Sequence, residues 1–413
     1  MVPTVTRRNV LLGASATAAV VGTGLVGCSE NNLPVPEIHG TVSPKFESCR
    51  DAFAANFAKG HDVGAGVCVT HNDDVVVDLW AGWMDNDRTK PWQENTIVNV
   101  FSSTKPMTAM CALLLADRGE LSFDDPVSKY WPDFAANGKS DIKVSHLMSH
   151  TAGLPTWDSQ IDPAVLYDWE KATALLAQQA PLWEPGSASG YHAITQGYLV
   201  GEVVRRISGQ SLGQFFAREF AEPLNAPFYI GLPDDLALPV ADIIPAESQP
   251  ILEFIFSFFQ PELLGRTLGN PAIDMHDVNG ADWRHAEIPA ANGHGSARGA
   301  AMVQSIVSHG GTFQGKQILS EGGVRVALEE QISGKDLVLG FPLRHGMGYG
   351  LQIGSTPPPN ESVIFWYGAG GSMVMNDLKN RLTITFVMNR MLPALMMTER
   401  TDTIMEAVYG SLT

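Results

Sequence analysis

Val98-Asn99-Val100-Phe101-Ser102-Ser103-Thr104-Lys105-Pro106-Met107-Thr108-Ala109 is the stretch that decides how this chain folds. A short apolar run meets a hydroxyl-rich turn, and a helix opens from it. Met107, Met110, Cys111, Leu114 and Leu115 recur at helical spacing through 103–118, and Gly119 stops the helix. Ser102 therefore stands at a helix N-terminus, where backbone N–H groups lack intrahelical partners and the dipole is positive. Lys105 lies one turn further along on the same face, so its amine reaches the serine oxygen. Pro106 falls in the first turn, where its missing N–H is harmless.

The Ser-x-x-Lys spacing suits a nucleophile and its base. A lysine takes a serine proton only if its pKa is depressed, and burial at the base of a pocket does that. The spacing alone is weak, because a chain of this length holds about one such match by chance. Ser140-Asp141-Ile142-Lys143 is a second match, but it sits in a polar Asn-Gly-Lys-Ser stretch.

On either side, the pattern alternates between sheet and helix. Val63–Thr70 and Val75–Trp83 read as strands around an Asn72-Asp73-Asp74 turn, after a helix that begins near Ser43. From 133 to 289 the pattern is mainly helical, clearest at 142–149, 163–179, 193–208 and 212–220. A further helix reads at 297–310. Strands return at 348–353, 363–367, 372–376 and 382–388, with Asp377-Leu378-Lys379-Asn380 as a hairpin turn, and a helix at 398–409 closes the chain. Strands at both ends with helices between predict an α/β fold: one antiparallel sheet built from both termini, flanked by helices and carrying an all-helical insertion. The expected divisions are a signal over 1–27, a linker over 28–44, an α/β domain from 45–132 and 290–413, and a helical insertion domain over 133–289.

The 413 residues carry a net charge of −17. That excludes a nucleic-acid partner, which needs a basic surface. A core this large needs no disulfide or structural metal. Cys49, Cys68 and Cys111 match no metal spacing and read as buried thiols. At the N-terminus, Thr6-Arg7-Arg8-Asn9-Val10-Leu11 resembles a twin-arginine export signal, and Leu25-Val26-Gly27-Cys28 resembles a lipobox. The expectation is export and a membrane anchor through lipid on Cys28, at the outer face of the cytoplasmic membrane.

The segment Phe101–Ala109 resembles the nucleophile region of the serine β-lactamase-like superfamily, and within it the class C-like, or family VIII, carboxylesterases. Leu121-Ser122-Phe123-Asp124-Asp125-Pro126-Val127, His146-Leu147-Met148-Ser149-His150-Thr151-Ala152-Gly153-Leu154-Pro155, Trp183-Glu184-Pro185-Gly186 and Gly368-Ala369-Gly370-Gly371-Ser372 are similar to family segments in the expected order. The resemblance implies a β-lactamase-like fold and an acyl-enzyme mechanism without a cofactor or metal. Ser102 is then the nucleophile, and Lys105 and Tyr191, in Gly190-Tyr191-His192-Ala193, move its proton. The Ser102 and Ala369 amides form the oxyanion hole. Trp366-Tyr367-Gly368 stands where β-lactamases have Lys-Thr-Gly, and with His192 it is expected to bind substrate.

Two departures shape the substrate. Trp366 replaces the lysine that attracts a carboxylate, and Ala193 replaces the Asn of Tyr-x-Asn. Both favour neutral small to medium acyl esters over anionic lactams or D-Ala-D-Ala peptides. The competing readings are a β-lactamase or D-Ala-D-Ala carboxypeptidase on this scaffold, and a non-catalytic surface binding module. The apolar run 251–259 fits either an acyl pocket or a buried helix.

Three other signals are set aside. Gly209-Gln210-Ser211-Leu212-Gly213 matches Gly-x-Ser-x-Gly, but a helix and not a strand precedes it, so Ser211 reads as a helix N-cap. His146 and His150 have metal-ligand spacing without the intervening glutamate. His294 lies in a segment similar to one near the family's pocket and carries no assigned role. Ester hydrolysis by the 29–413 fragment is expected to vanish in Ser102→Ala and to persist in Ser211→Ala; a p-nitrophenyl ester assay of both variants checks it.

Overall fold

A computed structural model of the chain describes residues 33–246, 261–354, 359–394 and 397–413. The signal, Cys28 and the run 251–259 lie outside the described residues. The backbone of the fold is a nine-stranded antiparallel sheet. Its strands are β1 (Ile38–Val42), β2 (Gly64–His71), β3 (Asp74–Gly82), β9 (Ile332–Lys335), β10 (Pro342–His345), β11 (Gly350–Ile353), β12 (Val363–Tyr367), β13 (Met373–Asp377) and β14 (Leu382–Met388), in spatial order β1-β3-β2-β14-β13-β12-β11-β10-β9. The remaining strands are short: β4 (Val98–Asn99), β5 (Phe228–Ile230) and β6 (Gly293–Gly295) form a three-stranded sheet, and β7 (Thr312–Phe313) pairs with β8 (Lys316–Gln317).

The two chain ends meet where β2 pairs with β14, from His71 opposite Leu382 to Ala65 opposite Met388. The β2–β3 turn is the two-residue Asn72-Asp73, both at positive φ as a type I′ turn requires. Asp74 already belongs to β3.

Both sheet faces are covered, so the strands read as apolar runs rather than strict alternation. Residues alternate between two cores. Val67, Val69, Phe365, Tyr367, Met373, Met375, Ile384 and Phe386 pack on one face, beneath helices α1 (Ser48–Ala58) and α5 (Glu399–Leu412). Cys68, Ile364, Val374 and Val387 face the other core. There lie α2 (Lys105–Asp117), α3 (Thr195–Ser208) and α4 (Ala297–Ser308). Cys49, Cys68 and Cys111 are buried free thiols.

Two expectations need correction. The linker reading of 28–44 fails over Ile38–Val42, which forms an edge strand on β3. The polar sequence His39-Gly40-Thr41 hides it, because an edge strand needs little apolar surface. β9, at the opposite edge, escaped for the same reason, and its neighbour β10 is a four-residue strand, Pro-Leu-Arg-His, too short and polar to show a strand pattern. Residues Leu33–Thr413 form one compact unit, which includes the helical stretch 133–289. Among the described residues no helix is long and apolar enough to cross a membrane.

Candidate active site

The turn before α2 is a 3₁₀ helix over Phe101–Thr104. Phe101 holds φ at 46°, a strained value for a bulky residue. Several groups lock it. The Thr104 hydroxyl donates to Phe101 O at 2.5 Å and accepts from Gly293 N–H at 2.8 Å. Val100 N–H donates to Gly293 O at 2.8 Å, and the Ser372 hydroxyl donates to Val100 O at 2.7 Å. Gly293 must be glycine, since a Cβ there would stand 2.6 Å from the Thr104 hydroxyl oxygen. The strain thus sits at the residue before Ser102 and is held by both sheets.

Ser102 Oγ lies 2.6 Å from Tyr191 Oη and 3.1 Å from Lys105 Nζ. Lys105 Nζ is also 3.1 Å from Tyr191 Oη, which closes a triangle. Lys105 is wholly buried, and Nζ donates to Ala193 O at 2.7 Å and Ala290 O at 3.0 Å. No carboxylate pairs with it among the described residues. Burial drives its pKa well below the ordinary lysine value. A neutral amine has two N–H donors and one lone pair. The two carbonyls take the donors, which leaves the lone pair toward the Ser102 and Tyr191 hydroxyls. Burial pushes Tyr191 up to about 12, partly offset by its bond to Ser102, so the phenol stays protonated near neutrality.

A cavity of about 270 Å³ opens beside the triangle. Phe101, Ile194, Leu268, Ile273, Met275 and Leu339 are among its apolar walls, and among the described residues no charged side chain lines it. Ser102 and Ala369 both line it. The Ala369 N–H has no partner among the described residues, and Ser102 N–H lies in the first turn of a helix, where none is available.

The other expected residues are placed differently. Tyr367 points to the opposite sheet face, against Phe365 and Met405, because neighbours along a strand alternate. His192 is buried with both ring nitrogens committed: Nδ1 to Gly190 O at 2.5 Å and Nε2 to Leu154 N–H at 2.9 Å. Burial lowers it to about 3, so it is a neutral structural residue outside the cavity wall. Trp366 does not line the Ser102 cavity. Its indole packs behind Tyr191 at 6.0 Å and against His150 at 5.3 Å. Gly368 is small for a nearer reason than substrate approach: a Cβ would fall 2.2 Å from Val100 O and from the Ser372 hydroxyl oxygen. Ser211 caps a helix, its hydroxyl accepting from Gln214 N–H at 3.3 Å. His294 bonds Asn292 O and is buried.

The sequence reading missed four contributors. The Ala193 and Ala290 carbonyls have no side-chain signal. His150 does carry one, lying within the quoted His146–Pro155 segment. Its O accepts from Gly190 N–H at 2.9 Å and its Nδ1 from His192 N–H at 3.2 Å, bracketing Tyr191. Asp336 Oδ1 accepts from Tyr191 N–H at 3.1 Å.

The pH dependence follows from the direction of the lysine shift. A lysine depressed below its usual value accepts a proton only above its folded pKa, so activity falls as pH drops through that value, which lies below the ordinary lysine range. Lys105→Arg, which stays protonated at all accessible pH, is expected to lose about 10³-fold in kcat with the protein still folded. A pH–rate profile beside circular dichroism checks both.

The Beta-lactamase family model matches residues 50–409. The chain is 32% identical to Esterase/beta-lactamase LipL of Mycobacterium tuberculosis, across 88% of this chain and 85% of that one. A family VIII carboxylesterase crystal structure superposes with a TM-score of 0.85 at 38% identity, covering 91% of this chain and all of that one. A penicillin-binding protein homologue from Caulobacter crescentus gives a TM-score of 0.81 at 35% identity, with the same coverage. With the nucleophile turn, the sheet and the family match in agreement over nearly the whole described chain, this protein belongs to the Beta-lactamase family.

Proposed function

We propose that the chain hydrolyses neutral, apolar esters of small to medium acyl length through an acyl-enzyme on Ser102. It is a serine hydrolase acting on carboxylic esters, the activity named for relatives such as the family VIII carboxylesterase and Esterase EstB of Burkholderia gladioli. The observation that carries the finer reading is a Ser102–Lys105–Tyr191 triangle opening into a cavity whose described walls carry no charge.

Each role has a physical reason. Ser102 Oγ attacks the ester carbonyl while its proton passes to the Lys105 lone pair, directly or through the Tyr191 hydroxyl that touches both. The amides of Ser102 and Ala369 face the developing oxyanion. Tyr191 and Lys105 return the proton to the departing alkoxide. Water then attacks the acyl-enzyme, with the same pair accepting its proton. The cavity is at the small end for a ligand site, which suits a short acyl chain. A carboxylated substrate would lose hydration there without gaining a cationic partner.

The expected outcome is a kcat/KM for short to medium p-nitrophenyl esters at least about tenfold above that for nitrocefin. A p-nitrophenyl ester carrying a terminal carboxylate should fall with nitrocefin. Nitrocefin turnover above ester turnover would restore the β-lactamase reading. A well-folded protein that no fluorophosphonate labels would restore the binding-module reading.

We also infer export and lipid anchoring at Cys28, on the strength of the Arg7-Arg8 and Leu25–Cys28 motifs. The full chain expressed in a bacterium should partition into a detergent phase and Cys28→Ala into the aqueous one. An aqueous wild type would sink the anchor.

A further inference from the structure

Asp336 is fully buried and lies outside every motif in the sequence. It belongs to the segment between β9 and β10. One of its oxygens, Oδ1, accepts three backbone N–H groups: Tyr191 at 3.1 Å, Val338 at 2.9 Å and Leu339 at 2.9 Å. Gly340 N–H donates to Asp336 O at 2.9 Å, and Asp336 N–H to Phe341 O at 3.0 Å, which closes the segment on itself. Leu337 N–H donates to Ser189 O at 2.8 Å. The segment therefore runs alongside 189–191 and is stitched to it at two points.

The three donors lead to two different parts of the site. Tyr191 belongs to the proton-transfer triangle. Leu339 belongs to the cavity wall. An oxygen that accepts three N–H groups at once is fixed in place by them. Tyr191 is bracketed as well by the two bonds to His150. His150 and Trp366 press on its ring, but only Asp336 takes the N–H of Tyr191 itself.

We propose that Asp336 is a positioning residue whose single oxygen sets Tyr191 against Ser102 and Lys105 and, by the same contact, sets Leu339 in the wall of the acyl cavity. It touches neither the triangle's reacting atoms nor the cavity, so it acts through those two residues. The inference rests on the proposed role of Tyr191. A misplacement of about 1 Å at a catalytic group costs on the order of 10²-fold in rate. That is the scale of effect expected.

The test uses the full chain in detergent and reads kcat and KM per folded molecule, the folded fraction coming from circular dichroism. Asp336→Ala should lose about 10²-fold in kcat, with KM changing much less. Asp336→Asn keeps an oxygen acceptor at the same place and should retain kcat within about threefold, although its melting temperature falls. In a Tyr191→Phe background, Asp336→Ala should cost no more than about twofold further in kcat, because the hydroxyl it positions for proton transfer is already gone and the wall set through Leu339 bears on KM. If Asp336→Ala does not fold, Asp336→Glu displaces the carboxylate by one methylene and should show the same loss of kcat. The proposal is overturned if folded Asp336→Ala, or Glu in its place, keeps kcat within about twofold. It is overturned equally if Asn falls as far as Ala, or if the loss adds in full to that of Tyr191→Phe. Ser102→Ala in the same assay separates the two levels: residual hydrolysis there would remove the ester-hydrolase mechanism, whereas a dead Ser102→Ala beside an unaffected Asp336→Ala removes this inference alone.

Discussion

The Lys105 amine sits wholly buried between two backbone carbonyls and two hydroxyls, with no carboxylate in contact among the described residues. Holding an ammonium there would cost several kcal/mol of lost hydration. The amine is therefore neutral, and a neutral amine needs a defined direction for its lone pair. The Ala193 and Ala290 carbonyls supply that direction by taking its two protons. They arrive from different parts of the chain, one beside Tyr191 and the other before β6. The requirement thus ties α2, the approach to α3 and the 289–293 segment into one geometry.

The same requirement explains the strained turn. Phe101 holds its left-handed conformation because Thr104 bonds its carbonyl, while Gly293 fixes Thr104 and Val100, and Ser372 fixes Val100, on either side of it. Strain of this kind, about 1–3 kcal/mol, persists only where the surroundings over-determine it. Gly293 and Gly368 permit the close approach, each facing an oxygen that a Cβ would strike. The glycine-rich start after β12 therefore serves the nucleophile turn first.

Around the triangle the protein places aromatic and imidazole rings that carry no charge. Burial lowers His192 to about 3 and His345 to about 4, and drives His150 well below its usual value. With Trp366 they form a stack behind Tyr191. A neutral wall on one side and an apolar cavity on the other keep the dielectric low. That strengthens the amide dipoles of an oxyanion hole and disfavours an anionic substrate.

Much of this was legible from residue order. Ser102 and Lys105 were readable as a pair because local spacing sets them one helical turn apart, and Tyr191 was readable only through the family resemblance of the segment that holds it. The sheet built from both ends was readable because buried strands are continuous apolar runs. Edge strands β1 and β9 were not, since an edge needs no apolar pattern, and neither was β10, which is only four residues long and carries Pro342 and Arg344. Nor was it readable that Tyr367 and Trp366 part company across the sheet, or that His192 turns away from the cavity. Facing depends on which sheet face meets which helix, and one residue of register reverses it. The carbonyls on Lys105 and the reach of Asp336 to Tyr191, 145 positions away, belong to the same class. Backbone groups carry no residue-specific signal, and contacts between distant segments exist only once the chain has packed. The sequence by itself determined which atoms could react; the tertiary structure decided which of them meet, because direction and burial are properties of the packed chain.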